Sequence, residues 1–214
     1  MMDTPNPKRH AAGTNPALRQ RILDGAADVF MERGFDAAGV NDICRAADVS
    51  KSTLYVYFAH KEDLFEALVE QKRDLKFGAV EQALTMGGPA DTVLAEFLLR
   101  MVRVVCSPEV IRAQRTIIGI AERMPELGAR FYAGGAARAQ NLLRGYLEGQ
   151  VAQGRFAIPD PGHAAYQLIE LSSAGLLRQC LYGVRTQTPP DVELQASVAS
   201  ALVMFNSAYG TRTP

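Results

Sequence analysis

The chain has 214 residues, 48% apolar and 21% charged, a composition that suits an ordinary soluble protein of one large domain or of a small and a medium one. Its 23 Lys and Arg balance 23 Asp and Glu, which excludes binding of nucleic acid by bulk charge alone. No apolar run approaches the roughly 20 residues that span a bilayer, so no membrane partner is expected and the reading is cytoplasmic.

Residues 1–14, with Pro5, Pro7 and the basic run Lys8, Arg9 and His10, read as an N-terminal arm. No apolar segment follows those charges, so no signal peptide is expected, and a basic arm of this kind can enter a minor groove. From Ala17 to Arg33 the apolar residues Leu18, Ile22, Ala26, Val29 and Phe30 keep helical spacing, and Gly34 is placed to end that helix. A short helix over about Val40 to Ala47 comes next, with a tight turn at Asp48-Val49. Ser50 is a good N-cap for a third helix, Lys51 to Phe58, because its hydroxyl accepts from an amide of the first turn. Glu62 and Asp63 open a longer fourth helix reaching about Val80, their charge suited to a helix start.

Gly87-Gly88-Pro89 punctuates the first half, and a helix with Val93, Leu94, Phe97, Leu98, Met101, Val102 and Val105 inside follows it. Further helices are predicted near Pro108, over about Pro125 to Gln153, from Pro161 to Tyr182 and from Pro190 to Ala208. No strand-like alternation and no internal repeat appears. The fold class is therefore all-α, about nine helices in all: arm 1–14, a three-helix domain 15–62, and a larger helical domain 63–214. Cys44, Cys106 and Cys180 lack CxxC spacing and read as buried thiols in a reducing compartment, so no metal or cofactor is expected.

Two short helices joined by a three- or four-residue turn form the geometry that lays a recognition helix in a major groove. In Asp48-Val-Ser-Lys-Ser-Thr-Leu-Tyr-Val-Tyr-Phe58 the residues Val49, Leu54 and Phe58 are expected inside, and Lys51, Ser52, Thr53, Tyr55 and Tyr57 outside with Lys61. Small hydroxyls, phenols and lysines reach phosphates and base edges. Against this stands the charge of residues 15–65, six Lys and Arg against eight Asp and Glu. DNA binding then requires the cations to gather on one face.

The run from Gly34 to Leu64 resembles the DNA-binding signature of the tetracycline-repressor family. The resemblance implies that Lys51, Ser52, Tyr55 and Tyr57 contact DNA, that Lys61 meets a phosphate, and that Asn41 contacts DNA from the second helix. Four positions depart from the family pattern. Asp48 replaces a glycine where a left-handed backbone is expected, Ala38 and Gly39 replace hydroxyl residues before helix two, and His60 replaces a Ser or Asn while remaining a candidate contact. Ile118-Gly-Ile-Ala-Glu-Arg-Met-Pro-Glu-Leu-Gly-Ala-Arg-Phe-Tyr132 and Gly154-Arg-Phe-Ala-Ile-Pro-Asp-Pro161 are similar to the AefR-like C-terminal domain of a subset of these regulators. This implies a homodimer paired through its last two helices and a small-molecule effector enclosed by the first ones.

The candidate effector-binding residues are Phe97, Met101, Ile118 and Phe131, which are large and soft, with the polar Arg115, Glu122, Asn141 and Tyr166. The candidate dimer seam is Leu176, Leu194, Val198, Leu202 and Phe205, so that a charge at Leu202 is expected to give monomers. No HExxH, GxSxG, Walker or dinucleotide pattern gives the three histidines catalytic work. The function read from the sequence is a DNA-binding transcription repressor released from a palindromic operator by an effector, with helix four as the lever. The alternative is a helical ligand-binding or scaffold protein with weak or lost DNA binding.

Overall fold

The computed structural model describes residues 13–211, so the expected basic arm at Lys8 and Arg9 lies outside the described residues. The chain divides into two compact units between Gln71 and Lys72. That division falls inside a single helix.

The first unit begins with α1, Pro16–Ala37, where Pro16 sits in the first turn and the Asn15 side chain accepts from the amides of Ala17 and Leu18. Gly34 interrupts α1 at the expected place, at φ 75° and ψ 171°. That region is open to glycine almost alone, and it is extended rather than the left-handed helical conformation in which a glycine commonly ends a helix. Helical backbone then resumes to Ala37. Next come α2, Val40–Ala46, whose start at Gly39 has no side-chain cap, and α3, Lys51–Tyr57, capped by the Ser50 hydroxyl. Phe58, expected as the last residue of α3, instead closes it in extended backbone with its ring buried. α4 spans Lys61–Ala83, and the Asp63 carboxylate accepts from the His60 amide (2.9 Å), satisfying one donor of its first turn.

Helices of seven residues do not survive alone, so α2 and α3 depend on packing. Ile22, Leu23, Ala26, Ile43, Leu54 and Leu64 form a core without exposed surface, each Ile or Leu contributing about 1.5–3 kcal/mol on burial. Phe30, Phe35 and Phe65 extend it as a cluster of rings 5.1–5.7 Å apart. α1 comes onto the end of α2 at Gly25. A Cβ there would lie 2.6 Å from the Ala47 nitrogen and 2.9 Å from its Cα.

The turn from α2 to α3 is a Schellman motif. The Val49 amide donates to the Cys44 carbonyl (3.0 Å) and the Asp48 amide to that of Arg45 (3.3 Å), with Asp48 at φ 50°. The left-handed backbone expected at this aspartate is present. Because a Cβ is penalised there, Asp48→Gly should stabilise the unit by up to about 1 kcal/mol in urea unfolding. A clear loss of stability would show that the carboxylate outweighs the strain.

The second unit continues with α5, Ala90–Val105, α6, Pro108–Ile120, and α7, Pro125–Tyr132. A π-helical segment at Ala133–Ala137 leads into α8, Arg138–Ala152, so the long helix expected from Pro125 to Gln153 is present but carries one wide turn. α9, Pro161–Ser172, and α10, Leu176–Leu181, replace the single helix expected to Tyr182, because Gly175 takes φ 77° between them. Last is α11, Asp191–Tyr209. The described residues thus hold eleven α-helical segments and no strand, only an isolated bridge between Phe156 and Gly210.

The core of this unit joins Leu94, Phe97, Leu98 and Val102 of α5 to Leu143 and Leu147 of α8, Leu168 of α9, and Leu194, Val198 and Phe205 of α11. Arg138 clasps α4, donating to Glu81 (2.6 and 2.9 Å) and Asp74 (3.0 Å) with its guanidinium over the Phe77 ring. Glu81 above all raises the pKa of the Arg138 guanidinium, and charge-assisted bonds of this kind are shorter and stronger than neutral ones. The three cysteines are free and buried, and burial pushes the Cys106 thiol up to about 12, with neighbouring Cys180 adding to the shift. A thiol so poorly ionised is chemically quiet.

Candidate nucleic-acid interface

α3 presents an outer face that its own sequence keeps free of acid. From Val49 to Lys61 there is no Asp or Glu, while Lys51 and Lys61 supply positive charge. Of the eight acids of residues 15–65, Asp24, Asp28 and Glu32 are exposed at four-residue spacing along α1, while Asp48, Glu62 and Asp63 flank α3 in sequence. Asp42 on α2 is held between Arg33 (2.7 Å) and Arg45 (3.3 Å). The acidic sum of residues 15–65 is not carried by α3 itself, whose one charged side chain is Lys51, and phosphate attraction depends on the local charge.

Leu54 anchors α3 to the core with no exposed surface, so the residues on the opposite side must face outward. Lys51 and Ser52 are exposed, Thr53 is half-buried, and Tyr55 is 51% exposed beside Val56 at 52%. The Ser50 hydroxyl accepts from the Thr53 amide (3.1 Å) and lies 2.8 Å from the hydroxyls of both Ser52 and Thr53. This chain of hydroxyls fixes rotamers at the start of α3. Asn41 on α2 and the His60 side chain are also exposed.

Two expected contacts are engaged within the chain. Tyr57 is half-buried on the core, and its hydroxyl accepts from the Asn15 amide at 3.2 Å. The Lys61 ammonium donates to the carbonyls of Phe35 (2.7 Å) and Asp36 (3.4 Å) and lies 4.4 Å from the centre of the Phe35 ring. Lys61 therefore ties the start of α4 to the end of α1 instead of standing free. Truncating Tyr57 would remove packing and a bond to α1, so it would cost stability as well as any DNA contact.

The effector candidates do not converge. Phe97 and Met101 are buried in the core of the second unit, and Phe131 is half-buried. Arg115 caps the end of α10, donating to the carbonyls of Leu181 (2.8 Å) and Cys180 (2.7 Å). Ile118 is 65% exposed, Tyr166 is 47% exposed, and Glu122 and Asn141 are also on the surface. Helical spacing identifies which residues share a face but not whether another helix covers it, and these four faces are uncovered in the single chain.

A model of bacterial regulatory proteins of the tetR family matches residues 22–68, and one of the AefR-like transcriptional repressor C-terminal domain matches residues 92–211. The chain belongs to the TetR family. The repressor LfrR of Mycolicibacterium smegmatis is 31% identical over 137 residues, 64% of this chain and 69% of that protein. The transcriptional activator FasR of the same species is 39% identical over 66 residues, and the match spans only 30% of its length. A TetR-family regulator from Mesorhizobium loti shares the fold, with a TM-score of 0.82 at 23% identity over 91% of this chain and 98% of that one.

The expected seam residues Leu176, Leu194, Val198, Leu202 and Phe205 are at most 8% exposed, because the single chain's own core already uses them. In the single chain these residues are core. What sequence reasoning missed lies on the other side of α11, where Val192 (71%), Val203 (67%) and Met204 (54%) are exposed. The signal was present: no charged residue occurs between Leu194 and Tyr209, and a helix apolar all round needs cover on both sides. Gly25 was missed too, although a glycine in mid-helix usually has a packing reason.

Proposed function

We propose that this chain is a transcription repressor that binds a palindromic operator as a homodimer and leaves it when a small molecule binds the helices after α4. The observation that carries the reading is the acid-free outer face of α3, capped by Ser50 and fixed to the core through Leu54. Lys51, Ser52 and Tyr55 make the DNA contacts, with Asn41 and His60 at the edges of the face. Tyr57 and Lys61 act first as struts and offer to DNA only the donors that their internal bonds leave over.

The second copy packs against the exposed face of α11, through Val192, Ala196, Ala199, Val203 and Met204. A contiguous apolar face of this kind is a usual mark of an association surface. Dimerisation spaces two α3 helices for successive major grooves, and an effector that prefers another spacing lowers operator affinity by its differential affinity for the two arrangements.

The test is selection of a duplex from a random pool by the full chain, followed by titration over a salt series. Lys51→Ala is expected to weaken binding about tenfold and to reduce the salt slope by about one. Failure of the parent chain to select any duplex would favour the scaffold reading.

A further inference from the structure

α3 has seven residues and one fully buried side chain, Leu54, which leaves its rotation about its own axis poorly determined by packing. The first half of α1 supplies what packing does not. The Arg21 guanidinium donates through Nη2 to the Asp48 carbonyl at 3.0 Å. One turn further along α1, Gly25 brings the helix backbone onto Ala47. At the other end of α3, the Arg19 guanidinium lies 5.2 Å from the centre of the Phe58 ring, and the Asn15 amide donates to the Tyr57 hydroxyl. The residues before and after α3 are thus both held from α1.

Arg21 is the critical brace because of what it bonds. The amides of Asp48 and Val49 are spent on the Schellman motif, and the left-handed Asp48 carries the change of direction between α2 and α3. A cationic donor on that residue's carbonyl orients the Asp48–Val49 peptide, one residue ahead of the Ser50 cap. Charge-assisted bonds are shorter and stronger than neutral ones. Residue 21 is also exposed, so its removal leaves no cavity.

We infer that Arg21 is a positioning residue for the recognition helix: it sets the angle of α3 through the Asp48 carbonyl and does not itself contact DNA. The inference rests on the reading of α3 as the DNA-facing helix. In the full chain, Arg21→Met removes the donor and Arg21→Lys restores one. Two measurements are made: amide exchange at Asp48, Val49 and Thr53 in the free protein, and binding to the duplex selected by the parent and to a scrambled duplex over a salt series.

Arg21→Met is expected to speed exchange at the turn severalfold and to weaken the selected duplex about tenfold, the scale of one charge-assisted bond. The scrambled duplex should change less than about twofold, with the same salt slope, and Arg21→Lys should recover most of the loss. An equal loss on both duplexes with a slope lower by about one would overturn the inference by making Arg21 a phosphate contact. Unchanged exchange and affinity would overturn it as well. If the parent selects no duplex, the DNA reading fails while the exchange rates still decide whether Arg21 holds the turn.

Discussion

Gly25→Ala should lower the stability of the first unit by about 2 kcal/mol and cost most of its DNA binding. Alanine ordinarily favours a helix over glycine by about 1 kcal/mol, so a surface position would gain from the change. Here the new methyl would meet the Ala47 nitrogen and Cα, which are backbone atoms that cannot swing aside. Overpacking of that kind costs about 1–3 kcal/mol and is relieved only by moving α2 off α1. Since α2 leads directly into the Asp48 turn, α3 would move with it. Urea unfolding and duplex titration measure the two effects, and an Ala variant more stable than the parent would show that the helices separate freely at this point.

Val203→Glu should yield a folded monomer whose affinity for the selected duplex is lower by more than about a hundredfold, because a single α3 loses the avidity of the pair. Val203 is 67% exposed in the single chain, so the charge costs nothing until a second copy covers it. Leu202→Glu is the informative control. Leu202 belongs to the core, and a carboxylate there should unfold the second unit instead of releasing intact subunits. Size by light scattering separates the cases, and a dimer that survives Val203→Glu would move the seam to another face.

The sequence was most legible where local chemistry decides the outcome. Ser50 caps its helix, Asp48 takes the left-handed backbone, and the apolar spacing of α1 and α5 locates their buried sides. Less was legible where tertiary partners decide. Tyr57 and Lys61 were read outward from their place in a motif, but the Asn15 amide and the Phe35 carbonyl, distant in sequence, engage their polar atoms. The expected seam residues are buried in the single chain because the apolar residues of α11 run all round, and periodicity does not separate the side facing its own chain from a side that faces another. Ile118 and Tyr166 fell outside the core for a related reason, since residue type alone does not report which helix lies opposite.

The wide turn at Ala133–Ala137 has a bearing on aim. An α-helix rotates about 100° per residue, so one residue more or less before Arg138 would send its side chain to a different quadrant of α8. The loosened winding of that Ala-Gly-Gly-Ala-Ala stretch gives the helix the phase that delivers the guanidinium to Glu81 and Asp74. The same stretch has Gly134 where the Arg73 guanidinium lies, a place that a side chain on that residue would fill. Helical phase, and not only the identity of the acids, therefore selects which partner on α4 is gripped.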